Sequence, residues 1–453
     1  MAVDPELGQA QVLLRRGQVA QAEAALRAIL ARRPDDADAL YALGSAAAAR
    51  GDRAEALRRV EAAVERRPSE AVFHTTFGTL LVREERIGEA IAAFRRAIAL
   101  KPDGHQAHNN LGAALRRAGD LRGAVASWRT ASALKRGSPW YQPVGLPPPL
   151  PEAADLPTFT TSAAYKLRHD VEQLRSLRDL GSLGPDFDAT LAAFEAALAE
   201  AGDGTAIGPL DLGRHPLLRA AYNRLVRWRE TPALAAGALA PDLPVAEIEA
   251  RYAASGPGIT FVDGLLRPEA LAALRRFCLE STVWFDFRHD HGYLGAYLNE
   301  RFDADLLLQV ADELVARFPG IFRGRRLRHL WAYKYDSAMD GIGIHADEAA
   351  VNVNFWLTPD QANRDPARGG LVVWDVEAPR SWDFQRFNND VPAIERFLRE
   401  SGARPVTVPH RQNRAVIFNS DLFHATDTIR FAEGYENRRL NVTLLFGDRH
   451  DGR

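Results

Sequence analysis

Three residues in the C-terminal half of the sequence have the types and spacing of a metal site. His345 and Asp347 stand two positions apart beside a glycine-rich turn (Gly341, Gly343), and His424 follows the run RAVIFNS and the turn Ser420-Asp421. In extended chain, residues i and i+2 face the same side, so His345 and Asp347 can reach one ion while His424 supplies a third ligand from far along the chain. Two imidazoles and one carboxylate on one face of an octahedral ion leave three positions open, which is what oxygen activation at ferrous iron needs. An isolated His-x-Asp is common on protein surfaces, so the neighbouring residues decide.

Downstream, NRRLNVTLLF sets Arg439 fifteen residues after His424 at the start of a strand, with Asn441 and Thr443 alternating onto its side. A buried carboxylate such as that of 2-oxoglutarate needs a bidentate guanidinium partner, because an unpaired charge in a barrel interior is too costly. Arg439 is the candidate. A slip of one residue would bring Arg438 to that side instead, together with the apolar Leu440 and Val442. Asn354 alternates with Asn352 on the strand after Asp347, where it either contacts a ligand or faces solvent at an edge. Trp374, after Gly369-Gly370, is a core residue or a pocket wall. His289 and His291 have the spacing of a ligand pair but neither a strand-turn context nor a distal partner, His410 has no assigned role, and His169 and His215 read as surface or packing residues.

These residues need a β framework. Segments around Trp331 to Tyr335, Val351 to Leu357, Leu371 to Trp374, Pro405 to Val408, Ala415 to Asn419 and Leu440 to Phe446 read as six strands separated by turn residues, which suits a β-sandwich or barrel. Before them, GITFVDGLLRPEALAALRRF reads as a strand, a turn at Asp263-Gly264 and a helix entered through Arg267-Pro268. Between Trp374 and Val406 the run SWDFQRFNNDVPAIERFLRES carries a helix where a loop would suffice, an insertion expected to act as a lid or to shape specificity.

The N-terminal third is periodic. Pro34, Pro68 and Pro102 fall 34 residues apart, as do Gly44, Gly78 and Gly112, and Ala56, Ala90 and Ala124, while Val60, Phe94 and Trp128 share one large apolar position. Small residues sit where two helices approach and the large one fills the gap between them. The proline-rich run GLPPPLP at 145–151 ends this region, and 163–237 reads as mostly helical, with Tyr165, Leu167, Val171 and Leu174 on one stripe.

Composition bounds the rest. At 453 residues, 46% apolar and 26% charged, the chain exceeds one core and is globular in balance. A net charge of −2 gives neither the basic excess of a nucleic-acid binder nor an acidic tail. Cys278 is the single cysteine, so a thiolate metal cluster and an internal disulfide are excluded and any metal must use histidine and carboxylate. No stretch approaches the roughly 20 apolar residues of a membrane span and no signal peptide is evident, so a soluble, cytoplasmic protein is expected.

The 34-residue pattern resembles the tetratricopeptide family over residues 5 to 137, with three good repeats and a degenerate first one in which Ala10 stands at the glycine position. That resemblance implies stacked helix pairs whose concave face binds a peptide or protein. Asn110 matches a backbone-binding position of the family, but Ala42 and Thr76 occupy it in the preceding repeats.

The segments YKYDSAMDGIGIHAD, NVNFWLTP, GGLVVW, RAVIFNSDLFHAT and RRLNVT resemble, in order, the core of the iron(II)- and 2-oxoglutarate-dependent oxygenases, nearest the prolyl-hydroxylase-like branch, over residues 257 to 447. The resemblance implies a double-stranded β-helix (jelly-roll) with flanking helices. It implies His345, Asp347 and His424 as iron ligands, Arg439 as partner of the distal carboxylate of 2-oxoglutarate, and Tyr335 as a hydroxyl beside the cosubstrate or else a core tyrosine; Asn441 stands where this branch commonly has Ser or Thr, and Asn354, from its strand position, is a further cosubstrate candidate. The retained Asp347 speaks against a halogenase. The expected organisation is repeats over 1–137, a proline-rich linker and helical region over 138–244, and an oxygenase domain over 245–453. The expected activity is a dioxygenase consuming dioxygen and hydroxylating a protein or peptide brought by the repeats; a small-metabolite hydroxylase and a non-enzymatic scaffold are the alternatives.

Overall fold

In three of the four helix pairs of the N-terminal region a glycine meets the large apolar residue of its partner helix. A Cβ on Gly44 would lie 2.7 Å from Val60 Cγ2, one on Gly78 would lie 2.6 Å from the Phe94 ring, and one on Gly112 would lie 2.4 Å from Trp128 Nε1. Only glycine admits that approach, which explains why the glycine and the large residue repeat together. The computed structural model describes residues 4–137, 158–202, 206–288, 292–339 and 341–449. Contacts divide it into two compact units, Met1–Lys135 and Arg136–Arg453.

The first unit is an all-helical solenoid. Its eight helices are α1 (Pro5–Arg15), α2 (Val19–Arg32), α3 (Ala37–Arg50), α4 (Arg53–Arg66), α5 (Ala71–Arg83), α6 (Ile87–Leu100), α7 (His105–Arg117) and α8 (Leu121–Arg136), the last running one residue past the division. Asp36 and Asp52 cap α3 and α4 by accepting from the amides of Ala39 and Glu55. The three periodic prolines each follow the end of an outgoing helix, where a missing amide donor is harmless. Asn110 is engaged within the solenoid, donating to Thr79 Oγ1 at 3.2 Å and accepting from Gln106 at 3.1 Å.

The second unit is β-rich. Its principal strands are β1 (Ile259–Val262), β2 (Leu294–Tyr297), β3 (Leu327–Lys334), β4 (Val351–Trp356), β5 (Leu371–Glu377), β6 (Pro405–Val408), β7 (Ala415–Asn419), β8 (Leu422–Thr426) and β9 (Leu440–Phe446). Six form one antiparallel sheet in the order β1-β7-β4-β9-β3-β2, and three form a smaller antiparallel sheet in the order β8-β5-β6. All six strands expected of the sequence are present. The segment carrying His424 is a strand as well.

Register fixes which residues share a face. Asn441 pairs with Trp356 and Tyr333, and Thr443 pairs with Asn354 and Trp331. Directly opposed residues of an antiparallel pair project to the same side, so Tyr333, Trp331, Asn354, Trp356, Asn441 and Thr443 form one surface. The alternate residues of β3, Leu330, Ala332 and Lys334, are buried on the reverse face.

The helical segment of this unit is shorter than its pattern suggests. Leu167, Val171, Leu174 and Leu177 on the helix Ala164–Asp179 pack with Phe194 of Asp188–Ala201, as the apolar stripe requires. After the short helix Leu218–Ala221 the chain runs without regular structure to 237, contrary to the helical expectation. Its amides are taken by side chains: Thr282 accepts from Arg227, Ser281 from Arg229, Gln309 from Leu234 and Glu313 from Ala238. Those acceptors replace the i−4 carbonyls a helix would supply. His169 is fully buried between Trp284 and Tyr435, and His215 bonds Glu200, so both serve packing. The proline-rich run and His289 and His291 lie outside the described residues.

Candidate metal and carboxylate site

His345 and His424 are brought opposite one another by a pair of backbone hydrogen bonds. His345 N donates to His424 O at 3.0 Å and His424 N donates to His345 O at 2.8 Å, and the two rings lie 4.4 Å apart. The Asp347 amide reaches Ser420 O at 3.2 Å, which turns its carboxylate toward the same space. Gly341 makes this approach possible: its φ is +87° and a Cβ there would lie 2.1 Å from Thr426 O.

Hydrogen bonding selects the tautomers. Nδ1 of His345 lies 2.8 Å from Gly343 O and Nδ1 of His424 lies 3.1 Å from Leu422 O. A carbonyl can only accept, so each Nδ1 must carry the proton and each Nε2 presents a lone pair. His345 Nε2 is 3.9 Å from Asp347 Oδ1, and His424 Nε2 is 3.4 Å from Asp347 Oδ2. One ligand atom from each of the three residues falls within 4.8 Å of the others. Burial, with the nearby His424, pushes the His345 imidazole below its ordinary range and keeps it neutral. Burial works to raise the Asp347 carboxyl, but its neighbours His424 and His345 lower it by more, so it stands below the usual carboxylate range. Two imidazoles and one carboxylate converging on one point are a donor set an octahedral divalent ion takes.

Arg439 occupies the same interior face and is fully buried. Its Nε donates to Gly369 O at 2.6 Å, Nη2 to Gly370 O at 3.1 Å and Nη1 to Asn441 Oδ1 at 3.3 Å. The guanidinium sits 4.7 Å from the centre of the Tyr335 ring and 5.7 Å from that of Trp356. Tyr335 is a further hydrogen-bond partner of the guanidinium. No carboxylate of the described residues forms an ion pair with it, and burial lowers its affinity for its proton. A buried cation of that kind fits a ligand carboxylate, the observation against which 2-oxoglutarate can be tested. Gly370 allows the carbonyl turn, since a Cβ would lie 1.9 Å from Val408 O.

Arg438 points the other way, donating to Glu172 at 2.7 Å and lying 3.5 Å from Asp336. The register therefore favours Arg439 and assigns Arg438 a structural pair. Between Arg439 and the three candidate ligands runs a buried polar chain. Asn441 donates to Asn354 at 3.0 Å, Thr443 to Asn354 at 2.7 Å, Asn354 to Asn352 at 2.7 Å and Asn352 to Asp347 Oδ2 at 2.7 Å. Asn354 is thus an interior residue, not an edge one, and its alternation with Asn352 in a strand was the legible sign. Tyr335 is buried, its hydroxyl 3.4 Å from Thr426 Oγ1. Tyr333 and Tyr293 extend its aromatic surface with ring centres 4.8 Å apart, a feature the sequence reading passed over. Trp374 packs with the insertion cluster of Phe387, Ile394 and Phe423, which makes it a core residue.

His410 lies behind Arg439, between Trp356 and Phe431 at 5.6 and 5.0 Å, and neither ring nitrogen has a hydrogen-bond partner among the described residues. Burial, reinforced by the charges of Arg439 and Arg414, lowers its pKa to about 3. The unfolded chain binds a proton here below about pH 6.5 and the folded chain does not, so stability is full above that value and falls as pH drops toward 3. Between pH 7 and pH 5 the loss is about 2 kcal/mol. The Tm difference between those pH values should shrink in His410→Phe, and an unchanged difference would exclude His410 as its source.

Comparison with known proteins bears on the first unit. The tetratricopeptide repeat family matches residues 7–71 and 75–139. Those residues are tetratricopeptide repeats. No curated protein matches the chain. Among solved structures, an O-GlcNAc transferase mutant of Thermobaculum terrenum aligns at 28% identity over 29% of this chain and 26% of its own, with a TM-score of 0.28. MamA of Desulfovibrio magneticus RS-1 aligns at 24% identity over 29% of this chain and 73% of its own, with a TM-score of 0.27. YrrB, described as a tetratricopeptide protein with an unusual peptide-binding site, aligns at 22% identity over 29% of this chain and 69% of its own, with a TM-score of 0.28. The chain therefore spans about a quarter of the length of the first of these. Repeats of this kind bind peptides or proteins on their concave face. Among the described residues no helix is long and apolar enough to cross a membrane.

Proposed function

We propose that the β-rich unit is an iron(II)- and 2-oxoglutarate-dependent dioxygenase of the double-stranded β-helix (jelly-roll) type, with its catalytic domain over 245–453, hydroxylating a polypeptide recruited by the repeats. The observation that carries this reading is the convergence of His345, Asp347 and His424 on one point, with the buried Arg439, which has no carboxylate partner among the described residues, on the same interior face. His345, Asp347 and His424 would hold Fe(II), and Arg439 would hold the distal carboxylate of 2-oxoglutarate. Bound together, Fe(II) and 2-oxoglutarate supply the oxidising chemistry, consuming dioxygen and yielding succinate and carbon dioxide.

The chain's own residues do the positioning. Gly343 and Leu422 carbonyls fix the imidazole tautomers, and Asn352 holds one Asp347 oxygen so that the carboxylate cannot swing away. The Gly369 and Gly370 carbonyls and Asn441 keep the Arg439 fork in one plane. Tyr335 and Trp356 cover its faces and keep water from a bound carboxylate.

The direct test incubates the protein with Fe(II), 2-oxoglutarate and oxygen and follows succinate, together with a gain of one oxygen on co-purifying polypeptides by mass spectrometry. Absence of metal binding and of succinate would leave the repeats as a scaffold. Recruitment is tested separately. A chain beginning at Arg136 keeps that residue's bonds to Asn223 O and Glu300, which a cut near Pro157 would remove. It should retain turnover of 2-oxoglutarate and of a short target peptide yet lose most kcat/KM on the full-length target, because the repeats raise local concentration. Equal losses on both substrates would assign the repeats to support of the fold and favour a small-metabolite substrate.

A further inference from the structure

The insertion between β5 and β6 does not behave as a lid over the site. It comprises the short helix Phe384–Asn388 and the helix Val391–Glu400, and it packs behind the strands that carry the metal ligands. Ala346, the residue between His345 and Asp347, has both of its backbone groups taken by this segment. Its amide donates to Phe387 O at 3.0 Å, and its carbonyl accepts from Asn388 Nδ2 at 2.8 Å. Phe423, immediately before His424, lies in one buried cluster with Ala346, Phe387, Ile394 and Leu398. Successive residues of extended chain project to opposite sides, so a segment packed on Ala346 and Phe423 lies behind the ligand side chains, which face the interior. The helix Val391–Glu400 must cover its Ile394 and Leu398 stripe, and this reverse surface is what covers it.

A second tie closes the arrangement. Arg449, after β9, pairs with Asp421 in the turn leading to His424 and donates to the carbonyls of Ala378, Pro379 and Trp382 in the insertion at 3.2 to 3.3 Å. Its guanidinium also stacks on Phe387 at 4.0 Å. The insertion is thereby fastened to the backbone beside all three candidate ligands.

We propose that residues 384–400 form a clamp that sets the His345–Asp347 backbone for metal binding, with Asn388 as its main positioning residue. The proposal rests on the metal reading given above. By linkage, a metal that favours the clamped arrangement must in turn favour the docked insertion. Outer partners that orient ligands typically change metal affinity by roughly 10- to 100-fold when removed.

The test titrates the full chain with Co(II) and follows its visible absorption, with hydrogen exchange read over 384–400. The expected results are tighter protection of Phe387 to Leu398 on Co(II) addition, and Co(II) affinity in Asn388→Ala reduced by roughly 10-fold or more. Asn388→Asp, which turns a donor into an acceptor against Ala346 O, should lose at least as much. If Asn388→Ala fails to fold, the exchange measurement on the unaltered chain decides. Normal Co(II) binding with unchanged exchange, or with Asn388→Ala affinity within about twofold of the unaltered chain, overturns the clamp alone. No Co(II) binding by the unaltered chain overturns the metal reading itself.

Discussion

Alanine at His345, Asp347 or His424 is expected to weaken Fe(II) or Co(II) binding by well over a hundredfold, beyond the range typical of outer positioning residues. Succinate formation should vanish with it. The fold should survive, because the two histidines are anchored through their backbones, which alanine retains, and because His345 stands partly open at the mouth, with 21% of its side chain exposed. Asp347→Ala carries an added effect. It leaves the Asn352 amide without its acceptor in a buried chain, so its Tm should fall more than that of either histidine variant. Full metal affinity in any one of the three variants would remove that residue from the ligand set. Measuring affinity and Tm on the same preparations separates loss of a ligand from loss of the fold.

The sequence carried much of this because the relevant constraints are local or periodic. The repeat interval is visible because Gly44, Gly78 and Gly112 must each admit a neighbouring ring or branched side chain, so two residue types recur in step. Strands were visible through alternation, and NVNFW put Asn352 and Asn354 on one side without deciding between an interior face and a solvent edge. The choice between Arg438 and Arg439 depended on which flank of β9 meets which neighbour, and Glu172 on a distant helix makes that distinction. The alternation of Asn441 and Thr443 with Arg439 points to the inward residue, but no local pattern encodes the pairing of Arg438 with Glu172. The same holds for the insertion, whose amphipathic helix was legible while its contact with Ala346 was not. One of its two hydrogen bonds to Ala346 joins residues 42 apart through a side-chain amide, a relation without period or motif. The irregular run after Ala221 was misjudged for a related reason, since apolar spacing resembles a helix until side chains from Ser281, Thr282, Gln309 and Glu313 claim its amides.

Arg439→Ala should weaken binding of 2-oxoglutarate to the metal-loaded protein by roughly 30-fold to several thousandfold, the equivalent of about 2 to 5 kcal/mol for a buried charge left without its partner. Arg439→Lys should recover little. A lysine keeps the charge but presents no planar fork, and it cannot meet Gly369, Gly370 and Asn441 together with a carboxylate. Arg438→Ala should act on a different quantity. Its guanidinium pairs with Glu172 and Asp336 and is 7% exposed, so its loss removes the partner of Glu172, while Asp336 keeps Arg168, and lowers Tm by several degrees. Its 2-oxoglutarate affinity should remain within a few-fold of the unaltered chain. Calorimetric titration with 2-oxoglutarate beside a thermal melt of each variant reads both quantities. The reverse assignment, with affinity lost in Arg438→Ala and kept in Arg439→Ala, would mean that the ligand carboxylate enters from the Glu172 side of β9. In that case the buried chain from Asn441 to Asp347 would be a structural network alone, and the carboxylate site would have to be sought outside the interior face.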